Sequence, residues 1–168
     1  MDLIPDARGN LETRSWFSVV LAYQACERQY ARLLAGFGLT IAQFEVLGAI
    51  DELGERATPA LIAQRLLVTK GNITGLLKRL AEHGLVQLGP NPRDGRSQLC
   101  RLASDALARV QRAREASKAF IACQLAPFSE AQLIATETQM HVMRKHLEQI
   151  DTDQLVAQTL GDRHVHAT

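Results

Sequence analysis

The 168-residue chain is 46% hydrophobic and 22% charged, with aromatics at only 5%; this excludes a disordered or fibrous chain, and the abundance of Leu and Ala favours helices over strands in one domain or two small interlocked ones. No apolar run approaches the ~20 residues of a membrane span, and the start, Met1-Asp2-Leu3-Ile4-Pro5-Asp6, lacks the positive lead of a secretory signal, so a cytoplasmic protein with no membrane partner is expected. The net charge of +1 is uneven: residues 57–101 hold seven basic and two acidic residues, a net +5, against −4 for the rest, which is the electrostatic footprint of a nucleic-acid contact.

Residues 1–10, with Pro5 and Gly9, read as a flexible lead-in. From Leu11 to Phe37, Trp16, Val20, Tyr23, Tyr30, Leu34 and Phe37 recur at helical spacing, and Gly36 and Gly38 mark the end. Thr40 caps a second helix over 41–53, with Phe44, Leu47 and Ile50 inward and Gly54 closing it. Thr58-Pro59 opens a short third helix running to about Leu67, with Leu61, Ile62, Leu66 and Leu67 expected inward.

Thr69 caps a fourth helix over 70–83. Ile73, Leu76, Leu77 and Leu80 share its inner face, and Lys70, Asn72, Thr74, Gly75, Lys78 and Arg79 lie opposite, before Gly84 ends it. Leu85–Leu88 and Leu99–Leu102 read as two strands around the turn-rich Gly89–Arg96, a hairpin pattern. A long helix from Ser104 to Leu125 follows, interrupted by Pro127. Ser129-Glu130 begins a last helix to about Ile150, striped with Leu133, Met140, Met143 and Leu147, and 152–168 reads as a weakly structured tail.

The order places a winged helix-turn-helix at 40–102, flanked by helical segments at 11–37 and 104–151. The fold class is therefore mainly α, with a two-stranded β-hairpin wing and long helices whose apolar stripes call for dimerisation. A recognition helix offers small polar and basic groups to base edges, which Lys70, Asn72 and Thr74 satisfy, while Lys78 and Arg79 are placed to reach phosphate. Arg96, at the hairpin tip beside Arg93, suits a narrow minor groove. Asp94 is expected to hold the tip in shape by accepting loop N–H groups or pairing with an Arg.

The segments TIAQFEVLGAI, LIAQRLLVTKGNITGLLKRLAEHGLV and PNPRDGRSQLCRL, in this order and spacing, resemble the MarR family. Thr40, Gln43 and Phe44 match its second-helix motif, Thr69, Ile73, Thr74, Gly84, Leu85 and Val86 its recognition helix, and Asp94 and Arg96 its wing. The resemblance implies a homodimeric transcriptional regulator, most simply a repressor, binding a near-palindromic double-stranded DNA operator with Thr69 and the polar face of the fourth helix. It also implies a cleft for a small aromatic or phenolic effector, for which Trp16, Val20, Tyr23 and Phe44 are the candidate contacts.

Several positions depart from the family pattern. Gly75 stands where Arg is common, Leu88 and Gly89 replace basic residues at the wing, Gly95 splits the usual Asp-Arg-Arg, and Ala103 and Ala106 replace Thr and Gly. Fewer cations imply weaker, less salt-dependent DNA binding. Two alternatives follow: a winged-helix protein–protein module with little DNA affinity, and a thiol-based redox-sensing regulator. For the second, the position that holds the sensor thiol in some relatives is occupied by Trp16, leaving Cys26 a core thiol, and Cys26, Cys100 and Cys123 are all expected reduced and buried. No cofactor or metal is expected: His164 and His166 lack a third partner, and His141 and His146 are five apart. No HExxH, GxSxG, P-loop or GxGxxG motif occurs, and Cys123 with His141 lacks a third catalytic member, so no enzyme is expected.

Overall fold

The computed structural model describes residues 7–161. In chain order they form α1 (Ala7–Ala35), α2 (Ile41–Leu53), a 3-10 turn (Gly54–Arg56), α3 (Pro59–Leu66), α4 (Lys70–Glu82), β1 (Val86–Pro90), β2 (Gln98–Leu102), α5 (Ser104–Leu125), α6 (Glu130–Leu147) and α7 (Thr152–Gly161). They divide into two units, one up to Ile121 and the other from Ala122. Among the described residues no helix is long and apolar enough to cross a membrane.

The first unit packs around one apolar cluster. Val46, Leu47 and Ile50 of α2, Ile62 of α3, and Ile73, Leu77 and Leu80 of α4 meet Val86 and Cys100 of the hairpin and Ala106, Val110 and Ala113 of α5. The i, i+3, i+4 and i+7 spacing on α2 and α4 is what turns these side chains to one side. Local chemistry fixes the ends. Thr40 and Gln43 form a reciprocal capping box at the start of α2, and Thr58 and Thr69 accept the N–H groups of Leu61 and Asn72 at the starts of α3 and α4. Gly84, at φ +68°, ends α4: its N–H reaches Ala81 O, and that of Leu85 reaches Leu80 O.

β1 and β2 pair antiparallel, Val86 opposite Leu102 and Pro90 opposite Gln98. β1 thus starts one residue after the predicted Leu85 and runs two past Leu88, and β2 starts one before Leu99, because Gly89, preceding a proline, is held extended, and Pro90 sits at a strand end where its missing N–H is tolerated. The Cys100 N–H also donates to Ala57 O at 2.8 Å, so the hairpin is tied to the segment before α3.

The structure corrects several sequence expectations. α1 starts at Ala7, so of the expected lead-in only residues 1–6 lie outside the described residues. Residues 152–161 form α7 rather than a weakly structured tail, with the Asp151 side chain accepting the Gln154 N–H near its start; residues 162–168, and with them His164 and His166, lie outside the described residues. Leu61 and Leu67 are exposed, not inward. Leu67 ends α3 at φ 55°, a left-handed conformation that costs an L residue about 1–2 kcal/mol and swings its side chain 89% exposed.

Of the stripe predicted on α1, Tyr30, Leu34 and Phe37 pack on the core, whereas Trp16 and Tyr23 are exposed. The reason is length: the core ends near the last two turns of this 29-residue helix, and its earlier turns extend past it. Only Cys100 of the three cysteines is buried; Cys26 is intermediate and Cys123 exposed. Within the second unit, Ser129 and Gln132 form a second capping box that restarts the helix after Pro127. α6 has no buried residue, and Ile134, Val142 and Leu147 on it and Leu155, Val156 and Leu160 on α7 are exposed.

Candidate nucleic-acid interface

α4 is amphipathic by sequence, and once Ile73, Leu77 and Leu80 are buried, its polar face must point outward. Lys70, Asn72, Thr74, Lys78 and Arg79 are all exposed. Thr69 is exposed too, but its hydroxyl is engaged as the N-cap, 3.4 Å from the Asn72 N–H. The Thr74 hydroxyl donates to Lys70 O at 2.9 Å, leaving its methyl and remaining acceptor capacity free. Lys78 lies 4.0 Å from Glu82 one turn on, which offsets part of its charge.

The wing tip is shaped by its own short polar side chains. Asp94 Oδ1 accepts the Arg96 N–H at 3.0 Å, and Asn91 Oδ1 accepts the Arg93 N–H at 3.0 Å, two successive Asx turns. Asn91 Nδ2 donates to Ser97 Oγ at 2.7 Å, and Ser97 Oγ donates in turn to Asp94 O at 3.2 Å, closing the loop across its base. Arg93 and Arg96 project from this frame, both exposed and without a carboxylate partner among the described residues. Sequence reasoning singled out Asp94 but missed Asn91 and Ser97; the signal was an Asn followed two residues later by a residue whose N–H it can bind.

Packing brings the two elements together. An open groove runs between the start of α3, the first turns of α4 and the wing, lined by Thr58, Pro59, Lys70, Thr74, Arg96 and Gln98. Lys70, Thr74 and Arg96 thus share one concavity, while Asn72, Lys78, Arg79 and Arg93 lie outside its lining. Its two cations have no acidic neighbour in that lining, so the concavity favours an anionic, extended ligand.

A second concavity lies between α2, α3 and α5, with Phe44, Leu66 and Ile121 as apolar walls and Glu52, Arg65 and Arg114 as polar ones. Arg114 is ion-paired to Asp51, donates to Gly48 O at 3.1 Å and approaches Glu52 Oε1 at 3.7 Å; Glu52 Oε2 accepts from Arg65 at 3.0 Å. Tyr30 donates to Ser117 Oγ at 3.0 Å behind it, and its ring meets Phe44 edge-on. Of the four expected effector contacts, Phe44 lines this cleft; Trp16, Val20 and Tyr23 do not. Arg65, Glu52 and Arg114 were not legible as a group, because residues 52, 65 and 114 meet only through packing. Among the described residues no group of three or more His, Cys, Asp or Glu could hold a metal ion.

Residues 37–97 match the model of the MarR family. That segment, little more than a third of the chain, is where the chain is similar to the MarR family. The chain is 31% identical over 100 residues to the transcriptional activatory protein BadR of Rhodopseudomonas palustris, covering 58% of the chain and 57% of BadR. It is 27% identical to the HTH-type transcriptional repressor IacR of Pseudomonas putida, covering 70% of each. The chain therefore spans little more than half the length of BadR. Both relatives are named as transcriptional regulators and not as enzymes.

Among solved structures, a mutant MarR from E. coli complexed with operator DNA superposes with a TM-score of 0.70 at 22% identity, over 83% of this chain and 99% of that one. The organohalide-sensing RdhR regulator, solved bound to 2,4-dichlorophenol, gives 0.72 at 18% identity, over 87% of this chain and 89% of that one. At these identities both likenesses bear on the fold, a winged helix-turn-helix.

Proposed function

We propose that the chain is a sequence-specific DNA-binding transcriptional regulator, acting as a homodimer on a near-palindromic operator in the cytoplasm. The observation that carries this reading is the shared groove of Lys70, Thr74 and Arg96. Recognition-helix and wing cations facing one concavity suit simultaneous contact with a major groove and the flanking minor groove. In this reading Asn72 and Thr74 read base edges, Lys70, Lys78, Arg79 and Arg93 hold phosphates, Arg96 enters the minor groove, and Asp94 positions Arg96.

Repression by operator occupancy is the simplest mechanism, and a repressor and an activator both stand among the relatives. A small aromatic or phenolic acid in the cleft between α2, α3 and α5 is the proposed effector. Its ring would lie against Phe44 and Leu66 and its anionic group against Arg65 and Arg114. A neighbour in fold solved with a chlorophenol supports that chemistry. Because the cleft adjoins both α3 and α5, an effector that prefers one spacing of these helices would shift the population away from the DNA-bound form.

The test is a binding titration of the full chain against DNA from upstream of its own gene, at two salt concentrations. Binding that weakens steeply with salt is expected, together with about a tenfold loss for Arg96→Ala at unchanged melting temperature. If no binding occurs at low salt, the DNA reading fails and the protein–protein module takes its place.

A further inference from the structure

A further concavity of the first unit is separate from the groove of Lys70, Thr74 and Arg96 and from the cleft beside Phe44. It lies where the turn between α1 and α2 meets α5, lined by Gly36, Phe37, Gly38, Arg109 and Arg112. Arg109 and Arg112 are three residues apart on α5, so their side chains leave the same face of the helix. Arg65 and Arg114 are both bound to carboxylates, whereas neither Arg109 nor Arg112 has a carboxylate within 4.0 Å among the described residues. Two unpaired guanidiniums lining one concavity repel each other until an anion joins them.

The opposite wall is shaped to admit one. Gly36 and Gly38 bring no side chain into the space, and Gly38, at φ +66°, takes a conformation that favours glycine. A Cβ on Gly38 would stand 3.7 Å from Arg109 Nη1, so any longer side chain there would compete for the space the guanidinium uses. The backbone N–H groups of residues 36–38 are already bonded within the turn, which leaves the guanidiniums as the donors. A single carboxylate satisfies one arginine fork; a terminal phosphate group, with three free oxygens and up to two charges, satisfies two, and a DNA phosphodiester, with two free oxygens and one charge, can bridge the pair with one oxygen to each.

We infer that Arg109 and Arg112, facing the Gly36–Gly38 turn, form a binding site for a phosphate group, carried either by a small phosphate compound or by the backbone of bound DNA. The site would link the turn that leads into α2 to the helix that follows the wing.

Two arms test it, with Arg109→Gln/Arg112→Gln against Arg144→Gln/Lys145→Gln, which removes the same charge from α6. In the first, pyrophosphate is titrated calorimetrically into the full chain at fixed ionic strength. Saturable binding that falls at least tenfold in the Arg109/Arg112 variant and holds in the α6 variant assigns the site to a free phosphate compound. In the second, DNA affinity is followed across salt. A drop in the log–log slope of about 0.9 for the one phosphate lost per protomer, about 1.8 for a dimer, confined to the Arg109/Arg112 variant, assigns it to the DNA backbone. The second arm rests on the DNA-binding reading and the first does not, so a protein that binds no DNA but binds pyrophosphate through these arginines keeps this site and loses that reading. Pyrophosphate binding that is absent or equal in all three proteins, with unchanged DNA slopes or no DNA binding, overturns the inference.

Discussion

Position 75 shows how much a single side chain decides on the outward face of α4. Gly75 is exposed in the interior of α4, and a Cβ built there meets nothing within 4 Å. The glycine is therefore not required by packing, and it costs the helix about 0.5–1 kcal/mol relative to a good helix former. Gly75→Arg is expected to raise the melting temperature and to tighten DNA binding several-fold at low salt, with a steeper salt dependence. A titration that shows the stability gain without the affinity gain would place position 75 outside the DNA contact.

Cys100 behaves in the opposite way, since its effect comes entirely from burial. It is 1% exposed, and desolvation pushes its thiol up from the ordinary 9.0 to about 11. The native protein therefore holds this proton where the unfolded chain has lost it. The associated stability is fully present below pH 9 and is lost as the pH rises towards 11. The loss amounts to roughly 3 kcal/mol. Urea unfolding at pH 8 and at pH 10.5 should show a markedly larger decline for the wild type than for Cys100→Ala, whose own deficit is set by the cavity and is nearly independent of pH. Equal declines would show that the thiol is not the titrating group.

At the scale of elements, the clasp between α2 and α5 ties α2 to the helix that follows the hairpin. Asp51 and Glu52 lie in the last turn of α2, where the macrodipole disfavours negative charge. Arg114 of α5 neutralises that end by pairing with Asp51 and Glu52 and by donating to Gly48 O, and Glu52 passes the link on to Arg65 of α3. The partly exposed setting screens the pairs, so Arg114→Met is expected to cost only about 1–2 kcal/mol in urea unfolding. The more telling readout is Arg65→Met, which removes only the outer link. A double-mutant cycle should give a coupling of a few tenths of a kcal/mol or more between them, and strict additivity would mean that Glu52 relays nothing.

Across the whole molecule the outstanding feature is apolar surface without a partner. Leu11, Trp16, Phe17 and Leu21 on α1 and Ile134, Val142 and Leu147 on α6 are exposed, more than a soluble monomer ordinarily leaves open. A homodimer that covers these helices is the expected resolution, and sedimentation at micromolar concentration should give twice the monomer mass. Trp16→Ser with Phe17→Ser should shift the protein towards monomer and lower DNA affinity far more than their distance from α4 would suggest, since two half-sites would no longer be held together. A wild-type monomer that binds DNA tightly would contradict the dimer.

By itself the sequence determined the elements of the first unit and their order. Thr40, Thr58 and Thr69 are N-caps, Gly84 is a terminator and the spacing on α4 is amphipathic, and such signals act within a few residues, where chain connectivity already places the partners. The polar face of α4 followed by a turn-rich hairpin was legible for the same reason. Tertiary structure alone decided which of those polar groups share a groove, that Trp16 and Tyr23 point away from the core of the first unit, and that Glu52, Arg65 and Arg114 surround a cleft with Phe44. Each of these depends on surfaces brought together across tens of residues. Hydrophobic burial fixes that register, and no local pattern encodes where the core stops.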